Sequence, residues 1–327
     1  MTGSEFLDIQ QNNMIDNVIE SNKDKPYLVG YRYFINDSSS TTVYNYVRHI
    51  VKFMNYCNKN VEDLNIDDYT GYLASIKSTT SSNQIVVYAA LKKFSLYLLA
   101  NNRNPSDPMQ YVKRPKFKES IETKEKRDIG YLNKNEIKKY INTIERGAGS
   151  NKAINRQREW RERDLLIILI FLNTGMRRSA LCKLDVENID LNKKQLFTID
   201  KGEITQIYDL SEDMIFYIKK WLNKRAILLG DTTENALFIS NRKTRLNKAA
   251  IASVVNKYAQ NIEGKNITPH KLRATYGTLL YEETKDLFFT QECMGHANPK
   301  TTELYIRGQK EGSRKKASSI MSNITIK

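Results

Sequence analysis

Two of the three histidines in this 327-residue chain lie in one segment that also carries an arginine and a tyrosine. His270 and Arg273 are three residues apart, a spacing that places both side chains on one face of a helix. His296 and Tyr305 follow in the same segment. An imidazole can transfer a proton, a guanidinium can stabilise negative charge, and a phenol can act as a nucleophile. These residue types therefore predict attack on a phosphodiester, with the developing charge held by side-chain cations.

A second arginine follows a glycine at the end of an apolar run. The chain reads Thr174-Gly-Met-Arg177-Arg178 directly after the apolar residues 165–172. Glycine can end or bend a helix, and an arginine held by a buried helix presents a preorganised fork to phosphate. Taken alone, such an arginine is more typical of a surface ion pair. Together with His270 and Arg273 it predicts a site in which two guanidiniums surround one phosphate.

The charge of the chain favours a polyanionic partner. It carries 52 lysines and arginines against 37 acidic residues, a net charge of +15. Residues 1–114 hold 12 basic and 11 acidic side chains, or +1, whereas residues 115–327 hold 40 and 26, or +14. Excess positive charge promotes fast, salt-sensitive association with nucleic acid, although basic residues also serve only to solubilise a surface. We expect the C-terminal two thirds to make the strongest contact with DNA.

Several other protein classes are disfavoured. No apolar run reaches the roughly 18 residues that a membrane span needs, and the amino terminus lacks the pattern of a secretion signal. The three cysteines, Cys57, Cys182 and Cys293, are isolated and odd in number, which argues against structural disulfides and a cysteine-ligated metal. We expect a cytoplasmic, nucleoid-associated protein.

The first region that must position the site is helical. Residues 1–112 carry apolar positions at helical spacing and predict a compact bundle of four or five helices. Periodicity alone fits a protein-interaction bundle as well as a DNA-binding one. The predicted helices begin after Ser38, span residues 66–76 and begin after Ser81-Ser82, and Pro105 and Pro108 end the last of them.

A basic linker is predicted over residues 113–127. This stretch lacks apolar periodicity and carries seven basic side chains against three acidic ones. Such composition is typical of an interdomain connection. The linker either tracks a phosphate backbone or is a solvated tether.

The second region, residues 128–327, is predicted to be mixed. Asn133 with Glu136 resembles a capping box and predicts a helix start. The run 165–172 predicts a buried helix that ends at Asn173-Thr-Gly175. Residues 196–200 and 206–210 predict two strands of a hairpin around Lys201-Gly202. A further helix is predicted with Met214, Ile218 and Trp221 on one face.

Five short motifs follow one another along the chain: Thr174-Gly-Met-Arg177, Asp200-Lys201-Gly202, His270-Lys-Leu-Arg273, Met294-Gly-His296 and Tyr305. In order and approximate spacing they resemble the tyrosine recombinase (phage integrase) family. The resemblance covers residues 128–310, and residues 1–112 resemble the core-binding domain of that family. It implies a mainly helical fold with a small β-sheet, in which an N-terminal helical (SAM-like) core-binding bundle precedes a mixed α/β catalytic domain.

The resemblance implies how the phosphate is attacked. Tyr305 is the nucleophile and forms a 3′-phosphotyrosyl bond, which leaves a free 5′-hydroxyl. Arg177 and Arg273 bind the non-bridging oxygens, and His296 assists by hydrogen bonding. The Thr-Gly-x-Arg pattern selects Arg177 over its neighbour Arg178.

The resemblance also assigns the proton transfers. Lys201 protonates the departing 5′-oxygen, and His270 accepts the proton of the phenol. No metal, ATP or other cofactor is expected, since cations already present can stabilise the charge and the phosphotyrosine conserves bond energy. Two departures are Ala274, where many members have histidine, and the hairpin turn, which lacks the further basic residues usual there.

The implied assembly is a homotetramer that joins two DNA duplexes through a Holliday junction, with accessory DNA-bending or directionality factors as further candidates. The tail, residues 306–327, carries loosely helical apolar positions and is expected to pack on a neighbouring protomer or to fray.

Two alternative functions remain open: a monomeric type IB topoisomerase-like relaxase and a non-catalytic DNA-binding regulator. An integrase of a mobile element is not distinguished from a chromosome-dimer resolvase.

Overall fold

The structure of the protein, a computed structural model, describes residues 2–117, 131–199, 205–259, 262 and 266–295. The described part is mostly helical and holds one small sheet, which confirms the predicted fold class. Contacts along the chain group the described part of Ser4–Ser120 into one compact unit. They group the described part of Ile121–Lys327, with Met1–Gly3, into a second.

Five helices precede residue 101 in the described part of the chain. The helices predicted after Ser38, over residues 66–76 and after Ser81-Ser82 are confirmed, and the Ser39 side chain caps the first of the three. The total of five agrees with the predicted four or five helices, although the positions of the two earlier helices were not predicted. The five are α1 (Gly3–Glu20), α2 (Tyr27–Phe34), α3 (Ser40–Cys57), α4 (Ile66–Ser75) and α5 (Ser81–Ala100).

The core of this first unit forms around α5. Apolar side chains at helical spacing, Val87, Leu91, Phe94 and Leu98, are buried, and α5 contacts α2, α3 and α4. Tyr31 of α2 is fully buried, donates its hydroxyl to the carbonyl of Ala90 at 3.0 Å, and meets the Phe94 ring edge-on at 5.2 Å. Aromatic pairs of this kind add stability beyond the area that they bury.

Seven helices belong to the described part of the second unit. The predicted capping box is present, since the Asn133 side chain accepts from Glu136 N at 2.9 Å and the Glu136 carboxylate accepts from Asn133 N at 2.8 Å. The helix predicted around Met214 is also confirmed. The seven are α6 (Lys134–Arg146), α7 (Asn151–Thr174), α8 (Arg178–Lys183), α9 (Glu212–Leu229), α10 (Lys248–Lys257), α11 (Pro269–Thr284) and α12 (Leu287–Cys293).

Helix α7 is longer than its apolar run. The prediction of a buried helix ending before Gly175 is confirmed, but the helix begins at Asn151 rather than near Leu165. Its first half is polar and so carries no amphipathic signal; there Gln157 pairs with both the N–H and the carbonyl of Ala148 at 2.8 and 2.7 Å. None of the described helices combines the length and the apolar composition that a bilayer crossing requires.

A fully buried carboxylate links α7 to the end of α10. Asp164 accepts from Arg163 Nη2 at 2.7 Å, from Lys257 Nζ at 2.6 Å and from the Tyr258 hydroxyl at 2.8 Å. A buried charge is tolerated only when it is paired and hydrogen-bonded in this way. The cluster therefore fixes the helix that leads toward the segment of His270.

The sheet has three antiparallel strands in the order β1, β2, β3, which are Ile189–Asp190, Gln195–Ile199 and Thr205–Asp209. The two predicted strands are confirmed, each one residue earlier than expected, with Thr198 opposite Gln206. Strand β1 was not predicted, because two residues carry no detectable alternation. The predicted turn residue Lys201 lies between β2 and β3 and outside the described residues.

Candidate active site

The turn after α7 holds the chain in a conformation that needs glycine. Gly175 has a φ of +60°, and a methyl group at its α-carbon would lie 2.3 Å from Tyr276 Cδ1. Thr174 Oγ1 donates to the carbonyl of Ile170 at 2.7 Å and accepts from Met176 N at 3.2 Å. The Thr-Gly pair thus ends α7 and sets the direction in which the chain leaves it.

Arg273 is buried and joins two turns of the chain. It lies on α11, which begins where the Thr268 side chain accepts from Lys271 N at 3.3 Å. Only 4% of Arg273 is exposed. Its Nη1 donates to the carbonyl of Gly175, and its Nη2 donates to the carbonyl of Met294 at 2.5 Å. Since both acceptors are neutral carbonyls, they orient the guanidinium without cancelling its charge.

Arg177 contacts the same turn as Arg273. It immediately precedes α8, is half-buried, and donates from Nη2 to the carbonyl of Gly295 at 3.4 Å. Arg177 and Arg273 therefore contact successive carbonyls, those of Gly295 and Met294. Arg178 is exposed, so the structure turns the arginine favoured by the sequence toward this site.

Helix α11 packs closely against both neighbouring segments. A methyl group on Gly277 would lie 2.4 Å from the sulfur of Met294, which is itself 2% exposed. The fully buried Thr275 accepts from Leu132 N at 3.0 Å, which ties α11 to the start of α6. Close-packed contacts of this kind leave little freedom to the helix that carries Arg273 and His270.

His270 lies one helical turn before Arg273 on α11. More than a third of its surface is exposed, so water is only partly removed from the imidazole. Partial burial and the nearby Arg273 charge both lower the pKa of His270 from its usual value of 6.5. The neutral imidazole is therefore favoured near neutral pH, as a proton acceptor requires.

The structure brings Arg177, His270 and Arg273 together, and these are three of the six predicted site residues. The other three, Lys201, His296 and Tyr305, lie outside the described residues, so their roles stay predictions. Within the described ranges, no three histidine, cysteine, aspartate or glutamate side chains gather as metal ligands.

Three further side chains border the site and were not singled out by the sequence. Tyr276 fills the space beside Gly175; burial first, then the neighbouring Cys293 and Tyr208, raise its pKa to about 12. Gln206 of β3 lies against Gly295. The alternation of β3 is the one sequence signal that could have placed Gln206 and Tyr208 on the inner face.

Most of the second unit has a counterpart among known proteins. The profile of the phage integrase family matches residues 130–311, which is more than half of the chain. The chain belongs to the phage integrase family. The match includes all six predicted site residues, those of the described site and those outside it.

Named relatives of this phage integrase family member are tyrosine recombinases. Tyrosine recombinase XerC of Caldanaerobacter subterraneus subsp. tengcongensis is 31% identical over 252 residues. That match covers 75% of this chain and 65% of XerC, so the chain spans just under two thirds of the relative's length.

Two solved structures share the fold of this member of the phage integrase family. XerH site-specific recombinase, bound to a palindromic difH substrate in a post-cleavage complex, has a TM-score of 0.67 at 19% identity, covering 95% of this chain and 89% of XerH. A lambda integrase tetramer bound to a Holliday junction has a TM-score of 0.60 at 17% identity, covering 86% and 76% of the two chains.

Proposed function

We propose that this protein is a site-specific DNA recombinase that cleaves and rejoins strands through a 3′-phosphotyrosine at Tyr305. The observation that carries the proposal is the pair of guanidiniums on successive carbonyls. Arg177 donates to the carbonyl of Gly295 and Arg273 to that of Met294, so both cations lie at one turn. Membership of the phage integrase family and the relative named XerC support the same activity.

In the proposed reaction, the phenol oxygen of Tyr305 attacks phosphorus while the 5′-oxygen departs. Arg177 and Arg273 hold the non-bridging oxygens, whose negative charge grows in the transition state. His270, favoured as the neutral imidazole, takes the proton of the phenol. Lys201 gives a proton to the 5′-oxygen, and His296 hydrogen-bonds the phosphate. The reverse steps with a new 5′-hydroxyl rejoin the strand, so this chemistry needs neither ATP nor another cofactor.

We further propose that residues 1–112 are the core-binding domain, residues 113–127 a basic linker and residues 128–327 the catalytic domain. The two compact units support a division near this linker. The linker from residue 118 onward lies outside the described residues, as does the tail 306–327. The low net charge of the first 114 residues is compatible with a domain that reads bases rather than one that binds phosphates alone.

The proposed working assembly is a homotetramer on two duplexes in the cytoplasm, associated with the nucleoid. The lambda integrase tetramer on a Holliday junction and the substrate-bound XerH, which share the fold, support this assembly. Accessory DNA-bending or directionality factors are further candidate partners. A mobile-element integrase and a chromosome-dimer resolvase both fit the same site.

The nucleophile is tested with a nicked suicide duplex that carries the recombination site. The unaltered protein should form a covalent adduct, because the nicked fragment diffuses away and prevents rejoining. Tyr305→Phe should bind this duplex with unchanged affinity and form no adduct, whereas Tyr281→Phe, a matched tyrosine on α11, should retain it. Adduct at the unaltered level in Tyr305→Phe would exclude Tyr305 as the nucleophile. Plasmid relaxation without pairing of two sites would favour the relaxase alternative.

A further inference from the structure

Alternate side chains of strand β3 face the interior of the second unit. Gln206 and Tyr208 are half-buried, whereas Thr205, Ile207 and Asp209 are exposed. Successive side chains of a strand point to opposite faces, so Gln206 and Tyr208 share the inner face. Pairing with Thr198 of β2 holds the backbone of Gln206 in register.

The Gln206 amide occupies the space that Gly295 leaves open. A methyl group on Gly295 would lie 3.0 Å from Oε1 of Gln206 and 3.3 Å from its Cδ. Gly295 has a φ of +58°, a left-handed conformation that other residues rarely adopt. The same glycine accepts from Arg177 through its carbonyl. Gly295 therefore lies between a side chain of the sheet and one of the two candidate phosphate-binding arginines.

The two arginines differ in burial and in their hydrogen bonds to main-chain carbonyls. Arg273 is 4% exposed and donates to two carbonyls, those of Gly175 and Met294. Arg177 is half-buried, and its bond to Gly295 is 3.4 Å long. A hydrogen bond of that length weakens quickly when its acceptor moves, so a shift of Gly295 would weaken this contact of Arg177.

We propose that Gln206 is a positioning residue for strand cleavage, which holds the Gly295 turn so that the Gly295 carbonyl keeps Arg177 aimed at the scissile phosphate. The inference rests on the proposed function and deepens it. Gln206 acts through Gly295 and Arg177 and does not bind DNA. The geometry extends the catalytic machinery to a side chain of the sheet.

The decisive experiment compares Gln206→Ala with Ile207→Ala in the full-length protein. Ile207 is the neighbouring residue of the same strand, and 63% of it is exposed on the outer face. Single-turnover adduct formation on the nicked suicide duplex should slow about tenfold in Gln206→Ala and stay unchanged in Ile207→Ala, since small misplacements of a catalytic group are costly. The dissociation constant for the half-site should be the same in all three proteins. Gln206→Met has a similar length, keeps the contact with Gly295, and should recover most of the rate.

A second substrate distinguishes an effect of Gln206 on Arg177 from an effect on Lys201, which follows β2 in the same hairpin. In a 5′-phosphorothiolate the leaving sulfur needs no proton, so Lys201→Ala should recover on it. Gln206→Ala should be slowed equally on both substrates. Recovery of Gln206→Ala would place its effect on the general acid and overturn the inference.

Three other results also decide the inference. An unaltered cleavage rate in Gln206→Ala, or no recovery in Gln206→Met, would overturn it. Weaker half-site binding with an unchanged cleavage rate would overturn it too, because Gln206 would then contact DNA. Absence of adduct from the unaltered protein would instead overturn the proposed function, and this inference with it.

Discussion

At the scale of single residues, the candidate site contains two arginines that donate to main-chain carbonyls. Arg273 and Arg177 are oriented by main-chain carbonyls, and such acceptors cost a guanidinium none of its charge. The carbonyls in turn belong to the turns at Gly175 and Gly295, both in left-handed conformations. The geometry of the candidate site therefore depends on these glycines as well as on the arginines.

Gly175→Ala should destabilise the protein by about 2–4 kcal/mol, since the left-handed backbone and a clash with the Tyr276 ring both oppose a methyl group. The free energy of unfolding from urea titration measures this cost. In a Tyr276→Ala background the cost of Gly175→Ala should fall to about 1–2 kcal/mol, because only the backbone strain remains. The same cost in both backgrounds would contradict the contact between Gly175 and Tyr276.

The pH dependence of stability and of the NMR spectrum should reveal the lowered pKa of His270. Partial burial and the Arg273 charge lower the pKa of its imidazole below 6.5, so the folded protein binds the proton more weakly than the unfolded chain. Stability linked to His270 is therefore present above 6.5 and falls as the pH drops through that value. NMR titration of the free protein should give a midpoint below 6.5 for the resonance that His270→Gln removes.

If His270 accepts the proton of the phenol, kcat/KM should decline as the pH falls through that lowered pKa, because this ratio reports ionisation of the free enzyme. His270→Gln should lower the rate and flatten this acid limb. If the acid side of the kcat/KM profile keeps its shape in His270→Gln, another group accepts the proton.

At the scale of elements, polar contacts between segments fix several helices of the second unit. Thr275 of α11 holds the start of α6, and Asp164 of α7 holds the end of α10. Polar groups that are buried and fully paired specify one arrangement of neighbouring helices. The consequence for function is that α11 presents His270 and Arg273 from a rigid support.

Asp164→Ala should destabilise the protein by about 3–5 kcal/mol, because removing one partner leaves the Arg163 and Lys257 charges without compensation. The matched control is Glu283→Ala, which removes a carboxylate from the exposed ion pair with Lys134 and should change stability little. Urea titration compares the two variants. Equal effects would show that the buried cluster is not a main support of α7 and α10.

At the scale of the whole molecule, charge is distributed unevenly along the chain. Residues 1–114 carry +1 and the remainder +14. Bound phosphates release counterions, so most of the salt dependence of DNA binding should arise from the second region. Sequence discrimination comes from groove contacts, which the helical first region is proposed to add.

The whole chain and a fragment that begins at residue 128 should therefore have similar salt dependence of DNA binding but different sequence preference. Log affinity should fall linearly with log salt, with a slope of about −0.9 per phosphate contacted, and the fragment should keep most of that slope. The fragment should lose much of its preference for the half-site over a random duplex. Equal discrimination by the fragment and the whole chain would favour a protein-interaction bundle for residues 1–112.

The sequence by itself determined the elements whose signals are local. Helical periodicity placed α3, α4 and α5, the capping box at Asn133 placed the start of α6, and the strands β2 and β3 were one residue off. It also determined the candidate arginines and His270, because motif spacing along the chain is independent of packing. The polar half of α7 and the two residues of β1 were missed, since neither carries a periodic apolar pattern.

Only the tertiary structure decided how the described site residues are held. The carbonyls that orient Arg273 come from residues 98 and 21 positions away in the chain, and the acceptor of Arg177 lies 118 positions away. A carbonyl is common to every residue, so no side-chain pattern marks the ones that serve as acceptors. The contact of Gln206 with Gly295 is likewise set by how the sheet packs on the turn, and packing between distant segments is the one property that a local pattern does not contain.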